Sequence, residues 1–127
     1  MALIPLNTFK TKTTILTSDS TATVYTAPIG VTSIVLMTQV ANVSTQTHTV
    51  TFAHHRNLPV LPDAQGNGAQ TANVTTELIK NFAIPANDAA SMTTGKMIIE
   101  SLDSIVCYAD EDGVFKLTMS ILETANA

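Results

Sequence analysis

Tyr25-Thr26-Ala27-Pro28-Ile29-Gly30, the run Val31 to Val43 and the segment His48-Thr49-Val50-Thr51-Phe52 decide the fold class of this chain. They read as a strand end, a tight turn, a long strand, a second turn and a returning strand. Pro28 suits the first central position of a turn, and Gly30 the positive φ that follows it. Ser33 to Val43 is the longest β-branched and apolar run in the sequence. Ile34 and Leu36 lie on one face of its first half, and Val35 and Met37 on the other. A strand apolar on both faces is expected at the centre of a sheet or beneath a neighbouring subunit. In the returning strand, Val50 and Phe52 point inward with His48 and His54, and Thr49, Thr51 and Ala53 point outward.

Outward from that hairpin, the same grammar continues. Ile15-Leu16 and Thr21 to Thr26 are short strands separated by Ser18-Asp19-Ser20. Val74 to Ile84 places Leu78, Phe82 and Ile84 on one face and Glu77, Ile79 and Asn81 on the other. Pro85-Ala86-Asn87-Asp88 is a turn, and Asp88 to Thr94 either a helical turn or an extended link. Lys96 to Glu100 and Ile105 to Tyr108 are strands, and Asp110-Glu111-Asp112-Gly113 is a hairpin turn with positive φ at Gly113. In the last strand Phe115, Leu117, Met119 and Ile121 face the core, while Lys116, Thr118 and Ser120 face out. About eight strands, and no amphipathic helix of length, predict an all-β, antiparallel two-sheet sandwich, jelly-roll or immunoglobulin-like. Ala27-Pro28-Ile29-Gly30 and Ile84-Pro85-Ala86-Asn87 echo one another faintly.

Residues 1–13 form an expected N-terminal extended arm, and 14–127 a single β-sandwich domain with a long loop at 56–73. The arm keeps Leu3, Ile4, Leu6 and Phe9 apolar; it either docks on a neighbour or forms an edge strand on its own sandwich. The loop holds Pro59, Pro62, Gly66 and Gly68 yet keeps Leu58, Val60 and Leu61, which a purely solvated loop would waste. Those seven side chains are the expected partner contacts.

At 127 residues the chain is one domain's length, enough for a core without staples. Only 13% of residues are charged and Thr is the commonest, a surface suited to packing against protein. A net charge of −4 and scattered Lys10, Lys12, Arg56, Lys80, Lys96 and Lys116 argue against nucleic acid. Lone Cys107 reads as a small core residue. Met1 to Pro5 reads as no signal peptide, and no run of eighteen apolar residues points to a membrane span. Asn42-Val43-Ser44 and Asn73-Val74-Thr75 match the glycosylation pattern, as a Thr-rich chain does by chance.

The stretch YTAPIGVTSIVLMTQVANVSTQTHTVTF resembles small virion structural proteins of tailed bacteriophages of cyanobacteria and marine bacteria. The shared pattern is Tyr-Thr-x-Pro-x-Gly, an apolar strand, Asn with small polar residues, and a Thr/Val strand. FAIPANDAASMTTGKMIIESLDSIVCYA and the closing FKLTMSILE are similar to that family's second half, so the likeness spans most of residues 25 to 123. It implies a β-sandwich component of the particle with no catalytic residues to carry over. One departure is Leu102-Asp103, where the family pattern has Gly before Asp.

His48 and His54 lie about 20 Å apart along one strand, and His54 and His55 point to opposite faces, so the three predict no shared metal site. Asp110 to Gly113 lacks the ligand spread of a calcium loop. Nucleophile-elbow and phosphate-cradling motifs are missing, which predicts no enzyme and no cofactor. The expected function is a capsid decoration (cement) protein, located in the virion after synthesis in the host cytoplasm. It would act as a homo-oligomer, a trimer, against the major capsid protein or other virion proteins. A neck, tail or fibre component is the alternative, and a glycan- or receptor-binding module the further one. The absence of Trp and the presence of only Tyr25 and Tyr108 weigh against sugar stacking.

Overall fold

The computed structural model describes residues 7–56, 61–62, 69–70 and 74–125. Among them it holds strands and no helix: β1 (Asn7–Ile15), β2 (Thr23–Thr26), β3 (Val31–Asn42), β4 (His48–Arg56), β5 (Leu61–Pro62), β6 (Ala69–Gln70), β7 (Val74–Ile84), β8 (Ala89–Ala90), β9 (Met97–Ile99), β10 (Ser104–Ala109) and β11 (Phe115–Ala125). One sheet runs β1-β11-β3-β8, with β9 also on β3; the other runs β2-β10-β4-β7. All pairings are antiparallel. The chain is therefore an all-β two-sheet sandwich.

The pairings are nested. β1 pairs β11, β2 pairs β10, β3 pairs β8 and β9, and β4 pairs β7. A long hairpin whose two arms are rolled together gives this pattern, which is the jelly roll rather than the immunoglobulin arrangement. The β5–β6 ladder sits inside the connection expected as one irregular loop at 56–73, and Arg56 closes β4. Asn7–Ile15 is one continuous edge strand on β11, so from Asn7 onward the chain takes the edge-strand alternative and runs unbroken across residue 13. Ladder hydrogen bonds to β11 hold it there, since nearly all its side chains are exposed.

The core lies between the sheets and is built on Phe52, Phe115, Ile99, Ile105, Leu117, Met119 and Ile121, all fully buried. Fully burying a side chain of this kind contributes about 1.5–3 kcal/mol. Cys107 lies among them, its thiol pushed up to about 12 by burial. It is a core residue, as its apolar neighbours predict.

Departures from plain alternation in β3 and β7 shape the sheets. Met37 pairs Ser120 and Val35 pairs Ile121, so Leu36 is an extra, bulged residue. Ser33 and Val35 point inward before the bulge, and Thr38, Val40 and Asn42 after it. β7 likewise carries two extra residues relative to β4, with Asn81 at φ 51. The expected division of β7 is thereby corrected: Ile79, not Leu78, comes opposite core Phe52. A bulge slips every later side chain to the other face.

Turns are legible residue by residue. Val31 N–H donates to Pro28 O with Gly30 at φ 74, so Pro28 takes the first position of the turn, one earlier than expected. Asp88 N–H donates to Pro85 O with Asn87 at φ 60, repeating that geometry. The echo between the two Pro-containing stretches is thus an echo of turn shape. Gly113 takes φ 79 in the hairpin tip.

At the end of β3, the buried Asn42 carboxamide joins the β3–β4 connection to the end of β7. Its Nδ2 donates to Gln46 O and Ile84 O, each 2.8 Å away, and its Oδ1 accepts from Ser44 N–H and Oγ. Its own N–H donates to Asp88 O. Asn42→Ala is expected to lower the unfolding free energy by about 3 kcal/mol, since buried acceptors are left unpaired. Urea denaturation followed by far-UV circular dichroism measures it.

Candidate interaction surfaces

The sandwich turns one unusual face to solvent, the outside of the five-stranded sheet. Ile121 and Glu123 of β11 are buried, so Leu122 between them points away from the core. The register sets Phe9 of β1 and Ile34 of β3 on either side of Leu122, and Ile98 of β9 beyond Ile34. Directly opposed residues share a face. An apolar row therefore crosses four strands, with Phe9 at 74% and Ile98 at 60% exposure marking its ends. Beside the row, Phe9, Thr11 and Leu36 flank a shallow depression over Ser120. Met37, opposite Ser120, is also exposed.

The edge of this face is pinned from inside. Tyr25, on β2 of the other sheet, lies 2.6 Å from Ser33 Oγ and donates its hydroxyl to Glu123 Oε2 at 2.5 Å. Lys10 of β1 completes the group, 3.0 Å from Glu123 Oε1. Burial pushes the Tyr25 phenol up, with the hydrogen bond to Glu123 adding to the shift. Burial alone would raise the Glu123 carboxyl; the hydrogen bonds from Tyr25 and Lys10 and the Lys10 charge outweigh it and hold the carboxyl below its usual value. This cluster ties both sheets and the edge strand together.

The three histidines separate. His48 stacks edge-on against Phe115, with Nδ1 3.0 Å from Asp110 and Nε2 3.5 Å from Glu111. His54 Nε2 lies 3.6 Å from Asp103, and His55 Nδ1 2.7 Å from the Thr75 hydroxyl. Among the described residues no three His, Cys, Asp or Glu side chains gather at a point that could hold a metal. The carboxylates beside His48 and His54 are distant in sequence, and no local pattern announces them.

Asp103 anchors a second cluster at the opposite end of the sandwich from Asn42. Its carboxylate is buried, 2.7 Å from Arg56 Nε, and Arg56 also reaches Glu100. The turn that carries it is bound to the Pro28 turn: Ala27 N–H donates to Asp103 O, Leu102 N–H to Ala27 O, and Gly30 N–H to Ser101 Oγ. Asp103 N–H closes the turn on Glu100 O, which forces Leu102 to φ 71. Leu102 thus adopts the backbone shape for which the resembled pattern uses Gly. Such a conformation costs a side-chain-bearing residue about 1–2 kcal/mol.

Of the expected contact residues, Phe9 is placed on the outer row. Leu3, Ile4, Leu6, Leu58 and Val60 lie outside the described residues, and Leu61 is placed by its backbone in β5. Leu122, Ile34 and Ile98 complete the row and were not among the expected contacts. Their signal was a Leu in the polar register of the last strand and apolar runs longer than one face needs. A groove open to solvent also runs between β7 and residues 91–97, lined by Leu78, Ile79, Met92 and Met97 with small polar residues.

No family model matches this chain, and no curated protein matches it. Among solved structures, a chain of the T13 IBDV viral particle aligns with a TM-score of 0.48 and 11% identity. The alignment covers 96% of this chain and 32% of that one, so this chain spans about a third of its length. So distant a likeness carries no functional argument.

Leu102→Gly is expected to stabilise the protein by about 0.5–1 kcal/mol, the relief of strain exceeding the added freedom of the unfolded chain. Its urea midpoint reads this. Glu123 is depressed in the folded state, so its stabilisation is present above its ordinary value of 4.5 and lost as pH falls through the folded value. Thermal melts from about pH 5 to about pH 3 should fall less steeply in Glu123→Gln than in the parent.

Proposed function

We propose that this chain is a non-enzymatic structural protein of a phage particle, a decoration protein on the outside of the capsid. The observation that carries this reading is the outer face of the five-stranded sheet, an apolar row where a sandwich in water normally alternates to polar. The resemblance over residues 25 to 123 supports it, and so does the jelly roll, which recurs in capsid domains, although a fold alone does not set a function. Cys107 is sealed in the core, and His48 and His55 each hydrogen-bond a neighbour, Asp110 and Thr75.

In this reading the protein acts by burying surface between neighbours, as a homo-oligomer set on the threefold positions of the shell as a trimer. Leu3, Ile4 and Leu6 before β1, and Leu58, Val60 and Leu61 after β4, supply anchors to the major capsid protein. Each buried anchor adds about 1.5–3 kcal/mol before ordering costs, and repetition over a lattice multiplies it. Neither nucleic acid nor membrane enters this mechanism.

Quantitative mass spectrometry of purified particles tests it. Hundreds of copies per particle are expected; six to a few dozen would place the chain in the neck, tail or fibre. The Leu58→Ser, Val60→Ser, Leu61→Ser variant is expected to load less than the parent, and unchanged loading would remove the loop anchors.

A further inference from the structure

We infer that the outer face of the five-stranded sheet is a two-fold interface with a second copy of this chain. The inference rests on the assembly reading only in that both need a protein-covered surface. It names a different contact from the capsid anchors.

Charge argues for a second copy over an unlike partner. On the strands carrying the row, the outward register of β11 runs Lys116, Thr118, Ser120, Leu122 and Thr124. Facing positions on β1 are Phe9, Thr11, Thr13 and Ile15, and on β3 they include Ile34, Gln39 and Ala41. Lys116, second in its strand, is the one ionised group in these three registers, its stem long enough to reach water at the sheet's end. Exposed Lys96 and Glu100 flank Ile98 at the far edge. A partner bringing charge would bury it unpaired, a cost of several kcal/mol in a protein interior. A face matched to itself brings only Lys116 at its end and Lys96 and Glu100 at its edge, clear of the apolar row.

Shape argues the same way. A two-fold axis parallel to the strands reverses their order across the interface. Phe9 of one copy then meets Ile98 of the other, and Leu122 meets Ile34. The largest exposed side chain sits over the far edge, and the half-buried pair closes the middle. Two sheets so stacked, about 10 Å apart, would repeat the packing already present inside each sandwich.

Size is that of a small interface. The residues of β1, β11, β3 and the short β9, at about 3.3 Å rise and about 4.8 Å spacing, give roughly 550 Å² in plan, against about 800 Å² per partner in a standard interface. An isologous contact makes an even-numbered particle, so it joins copies or trimers in pairs.

Sedimentation velocity of the full chain tests this. The parent should be even-numbered, and Phe9→Lys with Ile98→Lys should halve its mass. Both positions are exposed, and far-UV circular dichroism checks the fold; Ile29→Lys, exposed on the Pro28 turn, should change nothing. A parent that is monomeric or odd-numbered, or a folded double variant of unchanged mass, overturns the proposal. Geometry is read separately by Phe9→Cys with Ile98→Cys. Three strand spacings, about 14 Å, separate these positions within one copy, whereas facing positions of stacked sheets lie about 10 Å apart, so neither pair forms a direct disulfide. A bis-thiol cross-linker too short for the first span and long enough for the second should therefore give a covalent dimer, and its failure to do so overturns the proposed axis. None of these outcomes changes the copy number per particle, which tests virion membership alone.

Discussion

One carboxamide at the end of β3 holds the sandwich in register. Asn42 offers two donors and an acceptor with two lone pairs in a place closed to water, and all are taken. Through them the crossing from β3 to β4 is fixed on the end of β7. Asn42 N–H adds Asp88, and Val43 N–H reaches Val114 O before β11. Three connections that carry the chain between strands thus meet at this carboxamide and the backbone beside it. A buried polar group of this kind is costly unless complete, so it selects one arrangement of the loops. Hydrophobic burial drives the sheets together, but it is nearly indifferent to which loop lies against which.

The fold class was legible because β-branched runs and turn residues alternate along the chain. Gly30 and Gly113 mark turns by chemistry that acts within four residues, and both carry positive φ. What sequence obscured was bulges. In Ser33 to Val43 the apolar residues on both faces suggested cover on both sides. The strand is central in its sheet, but Leu36 is a bulge and the residues on its outer side stay partly exposed. In β7 the same effect moved Ile79 opposite Phe52, because Asn81 bends the strand where the sequence shows only alternation. Period-two reading assumes an unbroken ladder, and one inserted residue inverts everything after it.

The surface was less legible still. Phe9 could be singled out because it sits in a short polar neighbourhood; Leu122, Ile34 and Ile98 join it only through pairings between strands far apart in sequence. The same holds for Asp110 beside His48 and Asp103 beside Arg56. Leu102 is an intermediate case. The departure from Gly was visible in the sequence, whereas the strain required knowing that the turn is bound on both sides to its neighbour.

The nesting of the strands has a meaning in time. Asn7 and Thr124 stand 117 positions apart, while β4 and β7 meet across a far shorter interval. Closing a loop costs entropy that grows with its length, so long-range ladders reward the chain last. By that entropy alone, the β4–β7 ladder is expected to form before β1 reaches β11. β1 lies at the sheet's edge, with nearly all its side chains exposed and little burial to hold it. Until it docks, the edge of β11 is an open template, and a neighbouring chain's first strand fits it as well as its own. The strand that completes the sheet is also the one most easily exchanged between copies.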